Sequence, residues 1–177
     1  MEFKKCSSHV QNPLLNPKSK GDATSLDKIL EALSAASREL SKLFGERFIG
    51  MVLFGSWARS EAKENSDVDV LVVLRDLRGM EVRSKIYKVI TRYVERAVTL
   101  VDIRLEELLK KELELSSLMI NIIADAIIIS DRDDVIKSFI EKGRRLIEKA
   151  QLVRYRTPDG KYGWKRRNGR PIEPIEL

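Results

Sequence analysis

Asp67 and Asp69 stand in a run that is otherwise apolar and largely β-branched, Asp67-Val68-Asp69-Val70-Leu71-Val72-Val73-Leu74. Side chains alternate along a strand, so the two carboxylates project from one face, about 7 Å apart, while Val68 and Val70 face the core on the other. Like charges so placed repel each other and resist burial unless a cation sits between them. Magnesium is the natural cation, since two hard ions bridged by carboxylates and phosphate oxygens serve in-line phosphoryl chemistry. Gly55-Ser56 precedes the pair by ten intervening residues. A glycine after a strand lets the backbone approach a ligand, and the N-terminus of a following helix offers unpaired N–H groups, together a seat for phosphate. Ser56 adds a hydroxyl donor, and Arg59 or Lys63 stands near enough in the sequence to meet the anion. Asp102, in the apolar segment Thr99-Leu100-Val101-Asp102-Ile103, is the candidate third carboxylate.

These residues need a scaffold of strands and helices in a fixed order. Residues 1–22 carry Pro13, Pro17 and Gly21 without periodicity and read as a flexible arm. From Thr24 or Ser25, Leu26, Ile29, Leu30, Leu33, Ala36, Leu40 and Leu43 recur at helical spacing until Gly45. Phe48 to Phe54 reads as a buried strand, Ser56 to Ala62 as one or two helical turns, and Asp67 to Leu74 as a central strand. A helix with Val82, Ile86, Val89, Ile90 and Val94 follows, then a strand from Val98 to Ile103. Leu105 to Ile123 reads as helix broken near Ser116-Ser117, with Glu106, Glu107, Glu112 and Glu114 on a solvated face. A short strand from Ala126 to Ile129 and a last helix from Asp133 to Leu152 complete a domain over residues 23–152. Residues 153–177 form a basic, aromatic tail with a hairpin turn expected at Pro158-Asp159-Gly160.

A chain of 177 residues suits one domain and its tails, and 43% hydrophobic with 34% charged residues suits a packed core under an ionised surface. Thirty-three Lys and Arg against 27 Asp and Glu leave a charge of +6, which favours polyanionic partners such as nucleoside triphosphates or RNA. With Cys6 the only cysteine and His9 the only histidine, neither a disulfide framework nor a Cys/His zinc site is expected. No long apolar run or signal-like leader is expected, which points to the cytoplasm and away from a membrane.

Gly-Ser, ten residues, then Asp-x-Asp resembles the signature of the DNA polymerase beta nucleotidyltransferase superfamily, and the short chain resembles its minimal nucleotidyltransferase branch. The resemblance covers the element order from about Leu26 to Ile129. It implies an α+β fold, a mixed β-sheet of the polymerase beta palm-like kind with flanking helices. It also implies that Gly55 and Ser56 hold the triphosphate, with Arg59 beside it. Asp67 and Asp69 would then bind two Mg²⁺ ions, and Asp102 the catalytic one. Ser60 departs from the pattern, since relatives often carry glycine there. The implied reaction moves a nucleoside monophosphate from an NTP, with ATP foremost, to an acceptor hydroxyl. With no second domain, the acceptor is expected on a partner protein, for which the family suggests a HEPN-domain protein and an antitoxin-like role, or at a homo-oligomer interface. Two alternatives remain open at this point: a catalytically retired nucleotide-sensing or partner-binding module, and an RNA-binding protein that uses the tail, in which Arg154, Tyr155, Arg156, Tyr162 and Trp164 mix cations with aromatics.

Overall fold

Every residue of Phe48–Phe54 (β1) is buried, as a strand with apolar layers on both faces must be. The computed structural model describes residues 22–110, 116–158 and 162–169. Asp22–Phe44 (α1) precedes β1 and starts slightly earlier than its periodicity predicts. A one-turn helix, Gly55–Ala58 (α2), leads to Val68–Leu74 (β2), Met80–Tyr93 (α3) and Val98–Arg104 (β3). Leu105–Leu108 (α4), Ser117–Asp125 (α5), Ile127–Asp131 (β4) and Val135–Lys149 (α6) follow, then the strands Leu152–Arg156 (β5) and Tyr162–Arg166 (β6). The sheet order is β3-β2-β1-β4, with β1 antiparallel to both neighbours and β2 parallel to β3. The fold is therefore α+β with a mixed sheet and helices on both faces, as expected.

The two faces of the sheet are separate apolar layers. Val68, Val70, Val72 and Leu100 pack with Ile29, Leu33, Ala36 and Leu40 of α1 and with Ile86 and Ile90 of α3. Leu71, Val73, Val101 and Ile103 pack on the opposite side with Ile120 and Ile123 of α5 and Phe139 and Ile140 of α6. A buried position such as Leu53 supports this scaffold, and Leu53→Ala would cost about 2–5 kcal/mol by leaving a cavity.

The helix predicted over Ser56–Ala62 is cut to four residues because Ser60 adopts the left-handed conformation, φ 57°. Glycine takes that conformation without the strain a Cβ brings, so the serine holds the turn at some cost. The helical reading of Leu105 to Ile123 is interrupted as expected, and Ser116 caps α5 by accepting a hydrogen bond from the Met119 N–H. Glu106 is exposed and Glu107 pairs with Arg104, whereas Glu112 and Glu114 lie outside the described residues, as do Cys6, His9 and the turn at Asp159-Gly160. β5 and β6 form the antiparallel hairpin expected of the tail, but the hairpin packs on the domain: Leu152 is buried, and Trp164 lies against the same apolar layer. Among the described residues, no helix is long and apolar enough to cross a membrane.

Candidate active site

Antiparallel pairing of β1 with β2 sets Phe54 opposite Asp69, so the chain leaves β1 at Gly55 beside the Asp69 carboxylate. Gly55 has φ 75°, and a Cβ there would overlap Asp69 Oδ2. This close approach between backbone and carboxylate is what the glycine permits. The loop from Arg59 to Asp67 is tied down by buried Trp57, whose indole N–H donates to the Ser66 carbonyl, 3.2 Å. Lys63 is exposed at the tip of that loop, in a turn closed by the Ser66 N–H on the Lys63 carbonyl, 3.0 Å.

Asp67 and Asp69 share the sheet face that carries Leu71 and Val73, the arrangement that alternation predicts. Asp67 is exposed and Asp69 half-buried. Burial first, and the neighbouring Asp67 charge second, push the Asp69 carboxyl up to about 6, while Arg59 pulls the other way. A carboxylate raised in this way, with a second one on the same face, is chemically suited to a hard divalent cation, which would replace proton binding as the source of neutralisation. Ser56 is half-buried directly after Gly55, and its hydroxyl makes no hydrogen bond among the described residues. The segment expected to seat phosphate is thus a glycine turn with a serine. A helix dipole contributes little, because α2 is a single turn.

Asp102 does not join this group. Parallel pairing sets it beside Val72, on the face of the sheet that packs against α1 and α3. There it forms an ion pair with Arg83 of α3, whose Nη2 also donates to the Leu100 carbonyl, 2.6 Å. Membership of an apolar strand does not disclose parity, and the register fixes it: Thr99, not Asp102, is the neighbour of Asp69. The Thr99 hydroxyl donates to Asp67 Oδ2, 3.3 Å. Among the described residues no cluster of three His, Cys, Asp or Glu side chains is arranged to hold a metal ion. The fit to a hard cation therefore rests on Asp67 and Asp69.

Arg59 is anchored beside the pair. Its Nη1 donates to Asp125 Oδ2, 2.5 Å, and its Nε to Glu61 Oε2, 2.9 Å. Asp125, at the end of α5, has a side chain only 3% exposed, and its other oxygen accepts from Arg154 Nη1 of β5, 2.7 Å. The Arg59 guanidinium lies 4.7 Å from the ring centroid of Tyr162 in β6, and the Tyr162 hydroxyl is 2.9 Å from both oxygens of Glu61. Partial burial raises the Glu61 carboxyl, but hydrogen bonds from Arg59 and Tyr162 leave it below the usual range. Arg154 stacks on Trp164, 4.7 Å, whose indole N–H donates to Asn121, 2.9 Å. One arginine and two aromatics of the expected RNA-binding surface, Arg154, Tyr162 and Trp164, are thus engaged inward, against the site. Asp125 was findable in the sequence by the reasoning that singles out Asp69, since it interrupts the apolar run from Ile120 to Ile129. Tyr162 and Arg154 carried no such signal.

Known proteins resemble this chain over most of the domain. The sequence matches the family model described as the nucleotidyltransferase domain over residues 33–147, more than half of the chain. A candidate protein adenylyltransferase of Methanocaldococcus jannaschii is 31% identical over 115 residues, 62% of this chain and 77% of that protein. The protein adenylyltransferase MntA of Thermococcus cleftensis is 46% identical over 55 residues, 31% of this chain and 54% of that protein. Among solved structures, a tri-AMPylated Shewanella oneidensis HEPN toxin in complex with MNT antitoxin contains a chain 16% identical to this one. The match covers 73% of this chain and 89% of that one, with a TM-score of 0.42.

Proposed function

The chain belongs to the nucleotidyltransferase domain family, and from that membership we propose that it transfers AMP from ATP to a hydroxyl group of a partner protein. The acceptor oxygen forms a bond to the α-phosphorus, the bond from that phosphorus to the β-bridging oxygen breaks, pyrophosphate leaves, and the hydroxyl proton is lost to water. The observation that carries this reading is the pair Asp67 and Asp69 on one face, with the Gly55 backbone against Asp69. Gly55 keeps side-chain bulk away from the place where the triphosphate lies. The Ser56 hydroxyl and the Arg59 guanidinium donate to its oxygens. Asp67 and Asp69 would hold Mg²⁺, which when bound neutralises triphosphate charge and activates the attacking hydroxyl. Asp67 is kept in place by Thr99, and Asp69 by the β1–β2 register.

The partner we propose is a HEPN-domain protein, in an antitoxin-like pairing. Mixing the chain with ATP labelled in the α-phosphate, Mg²⁺ and a purified HEPN-domain partner tests this. Label should appear covalently on the partner, whereas ATP labelled in the γ-phosphate should leave none. No transfer of α-label to any protein acceptor would refute the reading.

Thr99 favours a second reading. A neutral hydroxyl stands where a third carboxylate would face the pair, an arrangement that suits nucleotide-dependent partner binding with slow turnover or none. Tight Mg²⁺–ATP binding without transfer would select it.

A further inference from the structure

We propose that the C-terminal hairpin is a positioning device for the nucleotide site: Tyr162 and Arg154, with Asp125 between them and Arg59, hold the Arg59 guanidinium aimed at the triphosphate. The inference rests on the triphosphate reading of the site and adds to it a role for a segment outside the motif.

Arg59 alone is a poor clamp. A free arginine side chain samples many rotamers, and ordering it on a ligand costs affinity that preorganisation avoids. Here three contacts fix the fork in advance. Glu61 takes Nε, Asp125 takes Nη1, and the Tyr162 ring covers the guanidinium. Nη2 makes no hydrogen bond among the described residues, which leaves its two donors for an anion. Arg59 acts electrostatically on the Asp69 carboxyl, so the fixed fork lies within Coulombic reach of the carboxylate pair.

The hairpin completes two of these contacts. Tyr162 is held over Arg59 by its own bond to Glu61, so Arg59, Glu61 and Tyr162 form a closed ring. Asp125 is buried and charged, and Arg154 occupies the oxygen that Arg59 does not use. With both oxygens paired, one carboxylate is shared by two guanidiniums, and Arg59 keeps positive character towards the ligand. Pairing across the hairpin explains why these side chains face the site together: Arg154 is opposite Trp164 and Arg156 opposite Tyr162, so all four lie on the inner face, while Tyr155 and Lys165 lie on the outer one.

Calorimetric titration of the whole chain with ATP and Mg²⁺ tests the inference, with circular dichroism to verify the fold of each variant. Tyr162→Ala should weaken binding about 5- to 30-fold, the scale of a partly buried cation–π contact. Tyr162→Phe, which keeps the ring, should recover all but about threefold. In the Arg59→Ala background, Tyr162→Ala should change affinity less than about twofold, because its effect passes through Arg59. If the unsubstituted chain binds no Mg²⁺–ATP, the triphosphate reading itself falls and this inference with it. If the chain binds and Tyr162→Ala either leaves affinity unchanged or weakens it equally with and without Arg59, the positioning role is overturned while the triphosphate reading stands.

Discussion

The hydroxyl of Thr99 donates to Asp67 across the parallel pair of β2 and β3, 3.3 Å, and the same register puts Thr99 beside Asp69. The position next to the carboxylate pair is therefore occupied by a neutral side chain. Thr99→Asp would place three carboxylates on one face and should tighten Mn²⁺ binding about tenfold, read by calorimetry without nucleotide. Transfer should rise with it. Unchanged Mn²⁺ affinity would mean that the Asp67 and Asp69 face is not where metal binds.

Asp102→Asn separates the two faces of the sheet. Asp102 pairs with Arg83 on the side of α1 and α3, away from Gly55 and Asp69. AMP transfer should stay within about twofold of the unsubstituted rate, while thermal stability drops slightly from loss of a half-exposed ion pair. A fall in transfer of about a hundredfold with Mg²⁺–ATP binding intact would restore Asp102 to the site.

Asp69 sets a pH dependence. Its carboxyl is raised from 3.8 to about 6, so between these values the folded chain retains a proton that the unfolded chain has released. Stability contributed by the protonated form is present at low pH, falls as pH rises through this window, and stays lower above 6. After allowance for solvent screening the effect is about 1 kcal/mol, or about 2 to 4 °C in Tm. Asp69→Asn should flatten this slope and match the unsubstituted chain near pH 4, yet be the more stable at pH 7.5. It should also lower AMP transfer by at least about 10²-fold. Urea denaturation at the two pH values checks the first part and a transfer assay the second.

Gly55→Ala and Ser60→Gly should act in opposite directions. A methyl group at Gly55 meets Asp69 Oδ2 and requires a left-handed alanine, so Mg²⁺–ATP binding should fall at least about tenfold. Ser60→Gly relieves the same backbone conformation at an exposed position and should raise Tm by about 2 °C. Differential scanning calorimetry and nucleotide titration of the two variants provide the comparison.

Much of the scaffold could be read from the chain because periodicity reports burial directly. The alternation of Asp67, Asp69 and the valines disclosed both a central strand and the face on which the carboxylates lie. Asp102 was misleading for the complementary reason: alternation assigns residues of one strand relative to one another, but only the pairing of β2 with β3 relates that strand to its neighbour. Ser60 shows a third case, in which helical spacing continues while one backbone angle ends the helix. Tyr162 and Arg154 act through contacts with Arg59 and Asp125 over long stretches of chain, and no local pattern encodes such meetings.

The shared carboxylate of Asp125 also has a temporal meaning. A ribosome delivers Asp67, Asp69 and all four strands of the main sheet before Arg154 and Tyr162, so a nascent chain can assemble the sheet while Asp125 has only Arg59 to pair with. During that interval the face with Asp67 and Asp69 exists, but Arg59 lacks its contact with Tyr162 and Asp125 lacks Arg154. If the hairpin positions Arg59 as proposed, synthesis imposes an order on competence: the sheet comes first, and nucleotide binding reaches full strength only once β5 and β6 dock.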